Sequence, residues 1–117
     1  MGWKIFPKGI RILVERLHNE YSKKIPIYVT ENGMASNDVI IDGKINDSKR
    51  IKYYSNHLIE CLKLLENEIP LKGYFAWSLL DNFEWKFGYS KRFGLVYVDF
   101  DNLTRVPKLS WEEFRTY

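Results

Sequence analysis

The sequence predicts a piece of an α/β fold, and three observations carry that expectation. Helical and extended patterns alternate along the chain as helix, strand, helix, strand, helix. Both main predicted strands, residues 25–29 and 73–78, are continuous apolar runs of the kind covered on both faces in parallel sheets. Two strands do not make a sheet, and 117 residues suffice for only one small domain. Residues 1–117 therefore read as a slice of a larger α/β body.

Taken in order, Met1 to Pro7 is a lead-in, with Pro7 suited to the first turn of a helix. Ile10, Leu13, Val14, Leu17 and Tyr21 fall on one helical face, and Ser22-Lys23-Lys24 breaks the pattern. The run from Ile25 to Val29 reads as a buried strand ending in the turn Thr30-Glu31-Asn32-Gly33. Residues 34–48 are polar, and Asn37-Asp38 and Asp42-Gly43 signal turns in a loop with a small hairpin. Asp47 or Ser48 is placed to cap the next helix, whose apolar face is Ile51, Tyr54, Leu58, Cys61, Leu62 and Leu65 and whose end is marked by Pro70. After the second strand, Phe93 to Phe100 reads as extended and closes on the turn Asp101-Asn102. Ser110 and Glu113 have capping-box spacing for a short last helix.

Composition narrows the function. The net charge is +3, with Lys and Arg dispersed among acidic residues, which argues against nucleic-acid binding. A single cysteine, Cys61, excludes an internal disulfide or a cysteine-based metal cluster and reads as a core residue. No apolar run reaches membrane-span length and the first residues do not resemble a signal peptide, so no membrane association and a cytoplasmic location are expected. There is no phosphate loop, metal-ligand pair or Ser/His/Asp pattern, so neither cofactor nor metal is expected. His18 and His57 read as ordinary surface or packing residues.

Two places carry possible chemistry. Glu31 follows a buried strand directly, and strand C-termini are where ligands bind in parallel α/β folds. Position alone favours a solvated loop carboxylate or a cap on the following turn. Trp77, at the end of the second strand, is followed by Asp81, Asn82, Phe83, Glu84 and Trp85. Indoles beside polar and acidic groups suit a sugar, whose apolar face stacks while its hydroxyls need fixed partners; core packing for Trp77 and a surface anchor at Trp85 are the plainer alternatives.

Longer motifs go further. Ile27-Tyr28-Val29-Thr30-Glu31-Asn32-Gly33 closely resembles the nucleophile motif of family 1 glycoside hydrolases, the β-glucosidase and 6-phospho-β-glycosidase family. The run from Gly73 to Trp85, Gly-Tyr-Phe-Ala-Trp-Ser-Leu-Leu-Asp-Asn-Phe-Glu-Trp, resembles that family's eighth-strand segment, and the run from Gly88 to Asp99 continues the match. Gly2-Trp3 and Arg105-Val106-Pro107-Lys108 fit as well. The resemblance implies a (β/α)8 TIM barrel, of which this chain supplies the C-terminal portion, about strands seven and eight with their helices. It further implies Glu31 as nucleophile and Trp77 as the platform under the sugar. Glu84 would accept hydrogen bonds from sugar hydroxyls, Trp85 would donate its indole N–H, and Phe93 would line the pocket.

The same resemblance speaks to substrate and to activity. The phospho-glycosidase branch has a Ser at the position of Glu84, with a Lys and a Tyr further on. Lys91 fits that Lys, but Phe93 replaces the Tyr and Glu84 would repel a phosphate dianion, so a plain β-glucoside or related β-glycoside is expected. Retaining hydrolysis needs a second carboxyl about 5–5.5 Å from the first. The family carries it in a Thr-x-Asn-Glu-Pro-like motif, which does not occur in this sequence; Asn19-Glu20 and Asn67-Glu68 both fall on predicted helices. The chain alone is therefore expected to be inactive. It would be a fragment, a complementing subunit of a split hydrolase that joins the remaining N-terminal part of the barrel, or a self-associating piece. The alternative from another class is a noncatalytic sugar-binding module.

Overall fold

The computed structural model describes residues 2–21 and 25–117. Its elements are α1 (Lys8–Glu20), β1 (Ile27–Asn32), α2 (Ser48–Glu66), β2 (Leu71–Ala76), β3 (Val96–Val98), β4 (Arg105–Pro107) and α3 (Leu109–Phe114), with a 3-10 turn at Trp85–Phe87. The expected alternation is present, with an added hairpin. β1 and β2 pair in parallel, with Tyr28 opposite Gly73 and Val29 opposite Tyr74, while β3 and β4 pair antiparallel, with Tyr97 opposite Val106. The pattern break at residues 22–24 lies outside the described residues.

One face of β1–β2 is covered. Val14 of α1 and Cys61 and Leu64 of α2 pack with Ile69 and Leu71, and Ile10, Ile27, Val29 and Tyr74 close around them. The other face is bare. Tyr28 lies over Gly73, where a Cβ would come within 2.7 Å of its ring, and both Tyr28 and Phe75 are more than half exposed. Among the described residues, coverage on both faces, as the apolar runs predict, is thus absent.

Several local expectations are corrected. Pro7 is the residue before α1 rather than in its first turn. On the α1 face only Val14 is buried, and Leu13, Leu17 and Tyr21 stay open, with no described residue covering them. Along α2 the buried row is Tyr54, His57, Cys61 and Leu64; Leu62 and Leu65 point outward. β1 runs on through Asn32, so Glu31 lies inside the strand, at a register irregularity between Val29 and Asn32, rather than in a turn after it. β2 covers Leu71–Ala76 rather than 73–78, and extended pairing in the 93–100 stretch is confined to Val96–Val98. The Asp42-Gly43 hairpin forms: both residues have positive φ and Ile41 bridges Lys44.

The capping expectations fail for one shared reason. Asp47 precedes α2 but gives it no side-chain cap. Its carboxylate instead accepts from the Arg50 guanidinium, from the Ser110 backbone N–H at 2.8 Å and from the Ser110 hydroxyl. Ser110 sits inside α3, after Lys108, and forms no capping box with Glu113. A carboxylate 63 positions upstream thus satisfies the start of α3.

Candidate functional site

The two motif segments meet at one end of the parallel sheet. The Trp77 backbone N–H donates to the Asn32 carbonyl at 2.8 Å, which continues the pairing beyond β2. Gly33 lies so close beneath Trp77 that a Cβ there would come 1.8 Å from the Trp77 carbonyl oxygen. From α2, the Tyr54 hydroxyl donates to that carbonyl at 3.1 Å. Glu31 and Trp77 therefore hang from strand ends that are bonded to each other.

Around them the surfaces are open. Glu31 is exposed and borders a cavity of about 410 Å³ between α1 and the free edge of β1, lined also by Thr30, Asn32 and His57. Phe93 is buried and borders a cavity of about 300 Å³ with Gly33, Met34, Tyr53 and His57, the last of which lines both cavities. Trp77 is 36% exposed. Glu84 is half-buried, and its N–H closes a short loop by donating to the Gly88 carbonyl at 2.8 Å. Trp85 begins the 3-10 turn at φ +40° and is 84% exposed, so among the described residues its indole has no wall.

What holds the loops above the sheet is a buried set of six charged side chains. Arg50 pairs with Asp38 at 2.8 Å and with Asp47, and donates to the Arg92 carbonyl at 2.9 Å. Lys108 bridges Asp38 at 2.6 Å and Asp81 at 2.7 Å, and Arg92 pairs with Asp81 at 2.7 Å. Three carboxylates face three cations, so the set is neutral, which buried charges require. Burial pushes the Asp38 carboxyl upward, but Arg50 and Lys108 outweigh it and hold it below the usual range. Arg92 also lies 3.9 Å over the Tyr97 ring.

Asp81 belongs to this set. Its oxygens also accept from the Gly94 N–H at 2.8 Å and the Val98 N–H at 3.4 Å, and it is buried, so it is structural and withdrawn from the sugar-suited cluster of the sequence reading. The set was not anticipated from sequence, because its members lie as much as 70 positions apart. His57 is buried, with Nδ1 2.7 Å from the Tyr53 carbonyl, and burial lowers its pKa. Among the described residues no group of three or more His, Cys, Asp or Glu side chains gathers as a metal site, and no helix is long and apolar enough to cross a membrane.

The sequence profile described as Glycosyl hydrolase family 1 matches residues 1–116. Beta-glucosidase A of Thermotoga maritima is 49% identical over 109 residues, which cover 92% of this chain and 24% of that protein. A 6-phospho-beta-galactosidase of Clostridium acetobutylicum is 48% identical over 108 residues, covering 92% and 23%. A solved structure of the Thermotoga maritima beta-glucosidase in complex with glucoimidazole superposes with a TM-score of 0.96 at 46% identity, over 99% of this chain and 26% of that one. The chain thus spans about a quarter of the length of the relatives it matches.

Proposed function

Because the chain belongs to glycosyl hydrolase family 1, we propose that it is the C-terminal segment, strands seven and eight with their helices, of a retaining β-glucosidase. β1 and β2 are those strands. The observation that supports this most is the Trp77-to-Asn32 backbone bond, which brings the nucleophile-like and platform-like segments to the same end of the sheet.

In this reading a sugar stacks on Trp77, Glu84 and Trp85 engage its hydroxyls and Phe93 borders its pocket. A Glu31 carboxylate oxygen attacks the anomeric carbon, and the bond to the leaving oxygen breaks with its electron pair going to that oxygen. A separate carboxyl must protonate the leaving oxygen, and water then releases the glycosyl group. No second carboxyl of the family's acid/base motif occurs in the sequence, so the chain alone is inactive on ordinary glycosides. Identity does not separate sugar from sugar phosphate, since the 6-phospho-beta-galactosidase relative scores alongside the beta-glucosidase. The carboxylate of Glu84 favours the uncharged sugar.

One experiment addresses both halves. A 2-fluoro β-glucoside with a dinitrophenolate leaving group needs no acid, because that group departs unprotonated. Incubation with the chain should attach one glycosyl group to Glu31, found by peptide mass, while a plain aryl β-glucoside is not turned over. Turnover of the aryl glucoside, lost in Glu31→Gln, would overturn the account of the absent acid. Labelling that survives Glu31→Gln would overturn the nucleophile.

A second reading rests on surface. The chain exposes 8124 Å², whereas a compact folded chain of this mass exposes about 6,700 Å². The bare face of Tyr28 and Phe75 and the free edge of β1 invite the rest of such a barrel, or another copy, as partner. Sedimentation of the purified chain should find oligomers or aggregates at micromolar concentration; a monomer with a cooperative, high-temperature unfolding transition would oppose it.

A further inference from the structure

Asn32 follows Glu31 directly and is half-buried at the last position of β1. Its side-chain oxygen accepts from the Tyr74 hydroxyl on β2 at 2.6 Å. Its main-chain carbonyl accepts from Trp77 N–H. These bonds close a ring, running from the Asn32 side chain to Tyr74, along three residues to Trp77, and back to the Asn32 main chain. Tyr54 pins the Trp77 carbonyl from outside the ring, and Phe114 of α3 packs edge-on against Tyr54 with centroids 5.3 Å apart.

The ring joins the residue beside Glu31 to Trp77 through the Tyr74 side chain. Neighbouring strands already share backbone bonds, yet β1 is irregular between Val29 and Asn32, so strand pairing leaves the height of Glu31 under-determined there. An asparagine offering both a side-chain and a main-chain acceptor to one partner strand removes that freedom. Reactions that need an attacking atom within a few tenths of an ångström of its target are sensitive to such positioning.

We propose that Asn32 and Tyr74 are positioning residues that set the placement of Glu31 relative to Trp77 through the hydrogen bond between their side chains. The chemical part of this rests on the reading of Glu31 as nucleophile; the geometric part does not. Neither residue need touch the sugar. Their effect is on the rate of attack by Glu31, with little effect on how tightly a sugar is held.

The test uses the whole chain and the dinitrophenyl 2-fluoro β-glucoside. Tyr74→Phe keeps the ring and removes one hydroxyl. Labelling of Glu31 at saturating probe should slow about tenfold or more, with the half-saturating concentration unchanged within about twofold. Tyr21→Phe, an exposed tyrosine away from the ring, should label at the parental rate. Adding Tyr74→Phe to Asn32→Ala should slow labelling no further, because one bond is lost in either case. A parental rate in Tyr74→Phe, or additive losses in the pair, overturns the proposal. Should the parental chain take no label, the nucleophile reading fails for the isolated chain and amide NMR decides the geometric part. Tyr74→Phe should then move the Glu31, Gly33 and Trp77 amide signals, and shifts limited to residues 73 and 75 would overturn it.

Discussion

Replacing Asp81 by asparagine separates a structural carboxylate from a sugar ligand. Asp81 is 4% exposed, and its side chain and those of Lys108 and Arg50 are fully inaccessible. Asparagine has nearly the same shape, so packing is preserved and the change is electrical. One of the two oxygens becomes a donor facing donors: Gly94 N–H and Lys108 on one side, Arg92 and Val98 N–H on the other. The buried set passes from neutral to one net positive charge. Leaving one member of a buried ion pair uncompensated costs about 3–5 kcal/mol. Against a domain stability of about 5–15 kcal/mol, Asp81→Asn should remove a large share of the total.

Urea unfolding followed by far-UV circular dichroism measures this, with slopes compared so that a change in cooperativity is not mistaken for one in stability. Lys108→Met in the Asp81→Asn background restores neutrality, and the double variant should be less destabilised than the sum of the single ones. Raising the salt concentration should barely change the loss, since buried pairs escape screening. A loss below about 1 kcal/mol, or one that largely vanishes at high salt, would refute the reasoning and return Asp81 to the surface chemistry from which it has been withdrawn.

Other outcomes follow from the same packing. Burial holds the His57 imidazole pKa below its usual value, so the folded state takes up a proton less readily than the unfolded chain. Stability is then full above about pH 6.5 and falls as the pH drops below it, and His57→Gln should flatten that slope in melting experiments across the range. Burial pushes the Cys61 thiol up to about 11, so iodoacetamide should modify it only when denaturant is present; rapid modification of the native chain would contradict the packing of α2. Gly33→Ala forces a methyl group into the Trp77 carbonyl and should cost about 1–3 kcal/mol by urea unfolding, whereas Gly2→Ala, with open space around it, should cost nothing measurable.

How much of this was legible in the sequence depended on how local the cause was. The Asp42-Gly43 turn was readable because two adjacent residues suited to positive φ suffice to make it. The site segments were readable because their motifs are long and contiguous. The buried row on α2 was only half readable: Leu62 and Leu65 satisfy a three-and-four spacing as well as Leu64 does, and what decides among them is where α1 lies. Asp47 was misjudged for the same reason. Beside a helix start it looks like a cap, and only the return of the chain 63 positions later brings Ser110 to compete for it. The expected end of β1 falls too early because Thr30-Glu31-Asn32-Gly33 is polar and reads as a turn, while the pairing of Asn32 with Ala76 carries the strand on.

That conflict between pattern and pairing recurs over the whole chain. Continuous apolar strands predict two covered faces, and the structure covers one. The Cα radius of gyration is 15.8 Å, where a compact chain of this length has about 13 Å. The exposed area exceeds the compact value by about 1,400 Å², more than the roughly 800 Å² that one partner contributes to a standard interface. The residues responsible are concentrated: Tyr28 and Phe75 on the bare sheet face, and Leu13 and Leu17 on α1. The strands and α1 are therefore patterned for neighbours that this chain does not supply. The loops are different. Six charged side chains neutralise one another, and the Asn32–Tyr74–Trp77 ring closes, entirely within these residues. The part of the fold that would orient Glu31 and Trp77 is thus self-sufficient, whereas the part that would enclose a substrate is not. A ligand-independent geometry with an unwalled pocket should permit attack on a self-departing leaving group while holding the sugar weakly.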